Sequence, residues 1–194
     1  LAALGAVDFL MWVVTGISTG LTQGFSIQLS QYYGAKDFEN LRKSLAHSYR
    51  LTAFIAAGVL ILSQSFASLV LTGLHTPSNI IGMSLLYLRI IFCGIPATAA
   101  YNMFASALRA MGNSKTPLTA MIIASVLNVS LDILFVAGFG WGVAGAAIAT
   151  VIAQSFSAVY CFLILRRIDI VHLTRADFMP ASGMNARLMK LGIP

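Results

Sequence analysis

The sequence predicts an all-α integral membrane protein, a bundle of five transmembrane helices joined by short connections, on three observations. Apolar residues make up 58% of the 194-residue chain and charged residues only 9%, with a mean hydropathy of +0.86; a soluble domain carries about 25% charge. Fifteen of the eighteen charges fall in blocks at 36–50, 109–115 and 166–190. The charge-free runs between them, at 9–35, 51–88, 90–108, 116–131 and 133–165, approach or exceed the roughly 20 apolar residues that cross a bilayer. So few charges cannot coat a soluble globule, which excludes a soluble enzyme. The excess of twelve Lys/Arg over six Asp/Glu does not imply a nucleic-acid partner either, because the basic residues cluster at the ends of apolar runs.

The first helix is expected over 10–33. Thr15, Thr19, Thr22, Ser26 and Ser30 recur there at three- and four-residue spacing with Gln23 alongside, and Gly16, Gly20 and Gly24 form an adjoining stripe. Two readings stand: close helix packing through small residues, or a face lining a water-accessible cavity, with Thr15, Thr19, Thr22, Gln23 and Ser26 as lining candidates. After it, Phe38, Leu41 and Leu45 at helical spacing predict a short amphipathic helix on the cytoplasmic leaflet.

The second span is expected over 51–71 and the third over 80–108. Gly94-Ile95-Pro96 should kink the third, since Pro96 removes a backbone hydrogen bond. Arg89 lies within the same apolar stretch, where a buried cation must find a carboxylate, freed carbonyls or the interface; a structural role is expected for it. The fourth span, 117–137, follows Gly112 as a helix stop, Thr116 as a capping hydroxyl and Pro117 as a first-turn proline. Gly138, Gly140 and Gly142 leave only a tight turn before the fifth span, 143–165. Residues 166–190, with a Pro-Ala-Ser-Gly stretch at 180–183, read as a hydrophilic linker between two membrane bundles. Residues 191–194 read as the start of another span, and a helix preceding the first is also expected.

The segments after the first, third and fifth spans carry eleven of the twelve Lys/Arg. By the positive-inside rule they face the cytoplasm, which sets the N-terminus outside and the C-terminus inside. Trp12 and Trp141 then mark the outer boundary, and Tyr32, Tyr33 and Tyr49 the inner one. Cys93 and Cys161 sit inside apolar runs, where a thiol behaves as a small hydrophobe.

Catalytic motifs fail on context. Gly16-Ile17-Ser18-Thr19-Gly20 matches G-x-S-x-G, but that motif needs a strand–turn–helix, and here it lies inside a membrane span. No P-loop, zinc motif or dinucleotide fingerprint occurs, so no enzyme activity is expected.

Asn128 and Asp132 carry the candidate chemistry. Four residues apart, they share one helix face. Asp132 lies about five residues from the outer end of its span, and Thr150 about seven residues into the next, which puts both roughly 8–10 Å deep. Carboxylate, amide and hydroxyl oxygens at one depth make a site for a hard cation or a proton. The alternative is an Asp132–Arg89 ion pair that holds the bundle.

At these residues the chain resembles the multidrug and toxic compound extrusion (MATE) family. The matching stretches are Gln31-Tyr32-Tyr33-Gly34-Ala35, Leu88-Arg89-Ile90-Ile91 with Gly94-Ile95-Pro96, and 107–117 (Ala-Leu-Arg-Ala-Met-Gly-Asn-Ser-Lys-Thr-Pro). Asn128-(x3)-Asp132 and Gly142 to Thr150 complete the set. The resemblance implies half of a twelve-helix, two-lobe secondary antiporter in the plasma membrane that exchanges Na⁺ or H⁺ for organic, often cationic, compounds. It implies that this chain is helices two to six of a six-helix lobe. The absent partners would be the first helix and the C-terminal lobe of the same polypeptide. It places cation coupling on Asn128, Asp132 and Thr150 with the backbone carbonyl of Ala146, and it implies no cofactor beyond the coupling ion. A lipid-linked oligosaccharide flippase of the same superfamily, or a structural or channel-forming bundle, are the alternatives.

Overall fold

The computed structural model describes residues 16, 20, 24–73 and 80–178. Among these the chain is helical, and no strand occurs. Helix α1 covers residues 24–34, α2 Phe38–Gly73, α3 Ile81–Cys93, α4 Ile95–Ala110 and α5 Lys115–Asp132. A π-helical turn, Ile133–Gly138, extends α5, and α6 is Gly142–Arg166. Two 3-10 turns follow, Asp169–Val171 and Arg175–Phe178. Four of the described helical spans are long and apolar enough to cross a membrane: α2, α3 with α4, α5 with its π turn, and α6. The expected first span lies mostly outside the described residues, as do 74–79 and the stretch from 179 onward.

The two turns on the basic-loop side use one device. After α1, the Lys36 N–H donates to Tyr33 O (3.1 Å) and the Asp37 N–H to Tyr32 O (3.0 Å), a Schellman closure with Lys36 in the left-handed region at φ 58°. Asp37 then caps α2: its Oδ1 accepts the Asn40 N–H at 3.1 Å, and the Asn40 side-chain amide, followed by that backbone bond, holds the Asp37 carboxyl below its usual range. After α4, Gly112 takes the left-handed position at φ 82°, and Asn113 Oδ1 accepts the Thr116 N–H at 3.1 Å. Asn113, not Thr116, is therefore the cap of α5. It precedes Thr116 by the three residues a side-chain oxygen needs to reach a free first-turn amide.

Helix α2 departs from the expected 51–71. It starts at Phe38 and runs unbroken to Gly73, so the separate surface helix does not form. The physical reason is the burial of Leu41 and Leu45, each 1% exposed, against Phe25 and Leu29 of α1, Leu108 of α4 and Leu165 of α6. A helix so well covered continues into the span rather than lying on a leaflet. The third span is two helices, breaking at Gly94, whose N–H bonds to Ile91 O at 2.9 Å.

Helix α6 is the central element, with α3, α4 and α5 packed on it. Apolar side chains gain little by leaving lipid for protein, so helices in a membrane associate through close backbone approach. Gly145, Ala147, Ala149, Ala153 and Ala158 are five of the buried positions of α6. Gly94 and Gly145 mark the closest approaches. A Cβ at Gly94 would stand 2.9 Å from Val151 Cγ2, and one at Gly145 2.9 Å from Phe135 Cβ. Gln64 ties α2 to α3, its Nε2 donating to Arg89 O at 2.9 Å and to Cys93 Sγ at 3.4 Å. Both cysteines are free.

Candidate functional site

The glycine turn between the fourth and fifth spans sets the register of the site. Gly140 and Gly142 adopt φ of 69° and 54°, conformations that glycine reaches without a Cβ clash. The chain thereby reverses within a few residues and lays α6 antiparallel on α5. Phe135, Phe139 and Trp141 stack across this end, with ring centroids 5.1–6.0 Å apart.

That register brings Asn128 of α5 to Thr150 of α6. Asn128 Nδ2 donates to Thr150 Oγ1 at 3.4 Å, and Thr150 Oγ1 donates to the Ala146 carbonyl at 3.0 Å. Three of the four sequence-expected coupling residues thus form one hydrogen-bonded chain. Asp132 lies one turn further along α5 and is half-buried. Its Oδ1 is shielded from solvent and has no hydrogen-bond partner. Among the described residues no ion pair joins Asp132 to Arg89. Arg89, expected as a buried structural charge, is instead exposed on the surface of α3. The reason is local: Leu88 and Phe92 take the inward face of α3, and Arg89 follows Leu88 by about 100° around the helix.

A cavity of about 250 Å³ opens beside Asn128 and Thr150. Its polar walls are Tyr101 of α4, Ser125 and Asn128 of α5, and Thr150, Gln154 and Ser157 of α6. Tyr101 Oη donates to Pro117 O at 3.3 Å and Ser157 Oγ to Ala153 O at 3.2 Å. Sequence reasoning missed Tyr101, Ser125, Gln154 and Ser157. The last three were within reach of it: Ser125–Asn128–Asp132 and Thr150–Gln154–Ser157 each advance by three and four residues, the same signal noted on the first span. Of the lining candidates there, Ser26 is half-buried on α1, while Thr15, Thr19, Thr22 and Gln23 lie outside the described residues. Pro96 is the second residue of α4, is exposed, and does not line this cavity.

The π-helical turn begins at the residue after Asp132. The Phe139 N–H reaches back five residues to Leu134 O at 2.9 Å, the widened repeat that recurs at functional sites inside otherwise regular helices. Chemically, the assembly offers one carboxylate oxygen without a partner, an amide, a hydroxyl and a backbone carbonyl along the facing sides of two helices. Oxygen sets of this kind have the chemistry to take a hard cation or a proton. Among the described residues four other shielded polar atoms are unpartnered, in Gln28, Ser44, Ser48 and Thr52, but these groups are neutral, and Asp132 is the one ionisable member of that set.

Comparison with known proteins places this geometry. The MatE family model matches residues 1–134. The chain is 31% identical over 201 residues to "Probable multidrug resistance protein YoeA" of Bacillus subtilis (strain 168), covering 100% of this chain and 43% of that one. It is 32% identical over 195 residues to "Probable multidrug resistance protein YpnP" of the same organism, covering 99% and 44%. In fold it is similar to an inward-facing structure of a multidrug resistance MATE family transporter of the MOP superfamily, with a TM-score of 0.90, 24% identity, and coverage of 100% and 44%. The chain therefore spans less than half the length of the relatives it matches.

Proposed function

The chain belongs to the MatE family of membrane transporters, and from that membership we propose that it forms one lobe of a secondary antiporter that exports organic, often cationic, compounds in exchange for Na⁺ or H⁺. Asp132 is the coupling group in this reading. Asn128, Thr150 and the Ala146 carbonyl supply the neutral oxygens beside it, and the basic loops face the cytoplasm. The observation that carries the reading is the shielded, unpartnered Oδ1 of Asp132 one helical turn from the Asn128–Thr150–Ala146 chain.

The physical logic is a carboxylate that cannot rest alone. Holding an ionised Asp at the centre of a membrane helix costs about 2.5–3.5 kcal/mol on insertion scales. A bound cation or proton neutralises it, and releasing that partner on the other side of the membrane restores the cost. The site thereby favours one protein conformation when loaded and another when empty, which is what coupling requires. Alternating access rocks one bundle against another around a site inside the membrane, and in this reading the second bundle is supplied by the remaining length seen in the relatives. The described cavity walls carry no Arg or Lys, a lining unsuited to the anionic head of a lipid-linked oligosaccharide.

Flux in proteoliposomes tests the reading. With the native-length protein reconstituted, a fluorescent lipophilic cation should move only when a Na⁺ or H⁺ gradient is imposed, and movement should stop when both gradients are collapsed. Sustained flux with no gradient would favour a channel-forming bundle instead.

A further inference from the structure

A second cavity, of about 410 Å³, lies away from the coupling residues, between α2 on one side and α4 and α6 on the other. Its floor and walls are apolar: Ala53, Ala56, Ala57 and Leu60 of α2, Pro96 and Met103 among those of α4, and Phe162 of α6. Ala53, Ala57, Pro96 and Phe162 are exposed, so the crevice opens sideways on the flank of the membrane-spanning helices. Small side chains on α2 and the α3–α4 break beside Pro96 leave the gap. Tyr49, Phe104 and Phe162 close its lower end, with ring centroids 5.5 and 5.3 Å apart.

Three features fix what fits there. The first is length: from Tyr49 to Leu60, α2 rises about 17 Å, close to half of a hydrocarbon core of about 30 Å, the depth of one leaflet. The second is charge. Arg50, beside Tyr49, shares a face with Ala53, Phe54 and Ala57, and Arg166 lies one turn from Phe162 on the same face of α6. Both arginines are exposed, both stand where a charge-free run meets a basic block, and neither forms an ion pair among the described residues. Arg50 donates one N–H to Phe178 O at 3.0 Å and keeps its other donors. The third is Thr52, whose Oγ1 is shielded and unpartnered. It lines the crevice about 3 Å deeper than Arg50, a hydroxyl donor on the hydrocarbon side of that arginine, where a lipid carries its ester oxygens.

We propose that this crevice seats one acyl chain of an anionic phospholipid from the leaflet on the basic-loop side, with the phosphate held between Arg50 and Arg166. Lipid there fills a groove that the protein leaves open and ties α2 to α4 and α6 beside the Gly94 break. The neighbouring anionic surface adds to the attraction of each basic side chain.

The test is photocrosslinking in nanodiscs, using the membrane-extracted native-length protein. The probes are phosphatidylglycerol and phosphatidylcholine, each carrying a diazirine midway along one acyl chain. The phosphatidylglycerol probe should label peptides containing Ala53–Leu60 and Pro96–Phe104. Arg50→Gln with Arg166→Gln should lower that labelling by about tenfold or more, the scale that two basic side chains supply at an anionic headgroup. Ala57→Phe, which fills the crevice without touching the charges, should abolish labelling of Pro96–Phe104 while helical circular dichroism is kept. Equal labelling by the two probes, labelling of the Val126–Ile133 face as strong as that of the crevice, or protection of the crevice by another stretch of polypeptide would each overturn the proposal.

Discussion

Asn128, Asp132 and Thr150 illustrate how far single residues could be read. Helical rise alone put them at similar depth, and the Asn128–Thr150 contact at 3.4 Å agrees with that depth. Rise cannot say which way Arg89 points, and the alternative of an Asp132–Arg89 pair depended on that. The answer lay in the neighbours: Leu88 and Phe92 are buried at 0% and 1% exposure, which turns Arg89 outward. Gly94 is one of the two described glycines at which packing is tightest. Its proton side faces Val151, and a Cβ there would meet both Val151 Cγ2 and the Ile91 carbonyl within 3.0 Å. Gly94→Val should therefore destabilise the bundle by about 1–3 kcal/mol through overpacking, read as a lower thermal midpoint in detergent. Val151→Ala in the same chain should restore part of the loss, because the two sites share one contact. An unchanged midpoint for Gly94→Val would remove the claim that α3 and α4 meet α6 by backbone approach.

Elements were legible where composition changes sharply and illegible where it does not. The run limits at 35, 108, 116 and 165 fall within two residues of helix ends and Gly112 follows the end of α4, whereas the limits at 51, 88 and 90 fall inside helices. The π turn after Asp132 had no signal, because Ile133 to Gly138 is as apolar as the α-helix before it. The start of α2 was also misplaced, since the charges in 36–50 suggested a surface segment, while Leu41 and Leu45 were burying themselves in the core. The segment after α6 shows the same principle. It reads as linker, yet it returns to α2, with Val171 in the core cluster and Asp177 only 5% exposed. Asp177 Oδ2 accepts the Thr174 N–H at 2.7 Å and the Thr174 hydroxyl at 2.8 Å, and Oδ1 lies 3.9 Å from Arg42 Nε. Burial pushes this carboxyl up, but the Thr174 bonds, then Arg42 and Lys43, outweigh it and hold it below its ordinary value of 3.8. A depressed carboxyl contributes its stability above the unfolded value and loses it as pH falls through the folded one. Amide exchange protection in 169–178 should thus stay constant down to about pH 4, fall below it, and lose this pH dependence in Asp177→Asn. Loss of protection beginning well above that pH would contradict the docking of this segment on Arg42.

At the scale of the whole molecule, the surface is the inverse of a soluble protein's. Phe54, Ile61 and Val126 are 71%, 65% and 64% exposed, while the buried positions of α6 are Gly, Ala, Ser and Cys with one Leu. Hydropathy foresaw the first fact. The second follows from the solvent being lipid, where small residues rather than large ones mark the interior. The coupling proposal joins these scales: a carboxylate one turn from a hydrogen-bonded oxygen chain, on two helices locked by Gly145, in a lobe of a MatE transporter. Its most direct test is Asp132→Asn in the native-length protein, measuring ion-gradient-driven export of a fluorescent organic cation from proteoliposomes, with the thermal midpoint measured on the same preparation. The account predicts an unchanged midpoint and export reduced to the passive leak. Export at the unsubstituted rate by a well-folded Asp132→Asn protein would contradict it.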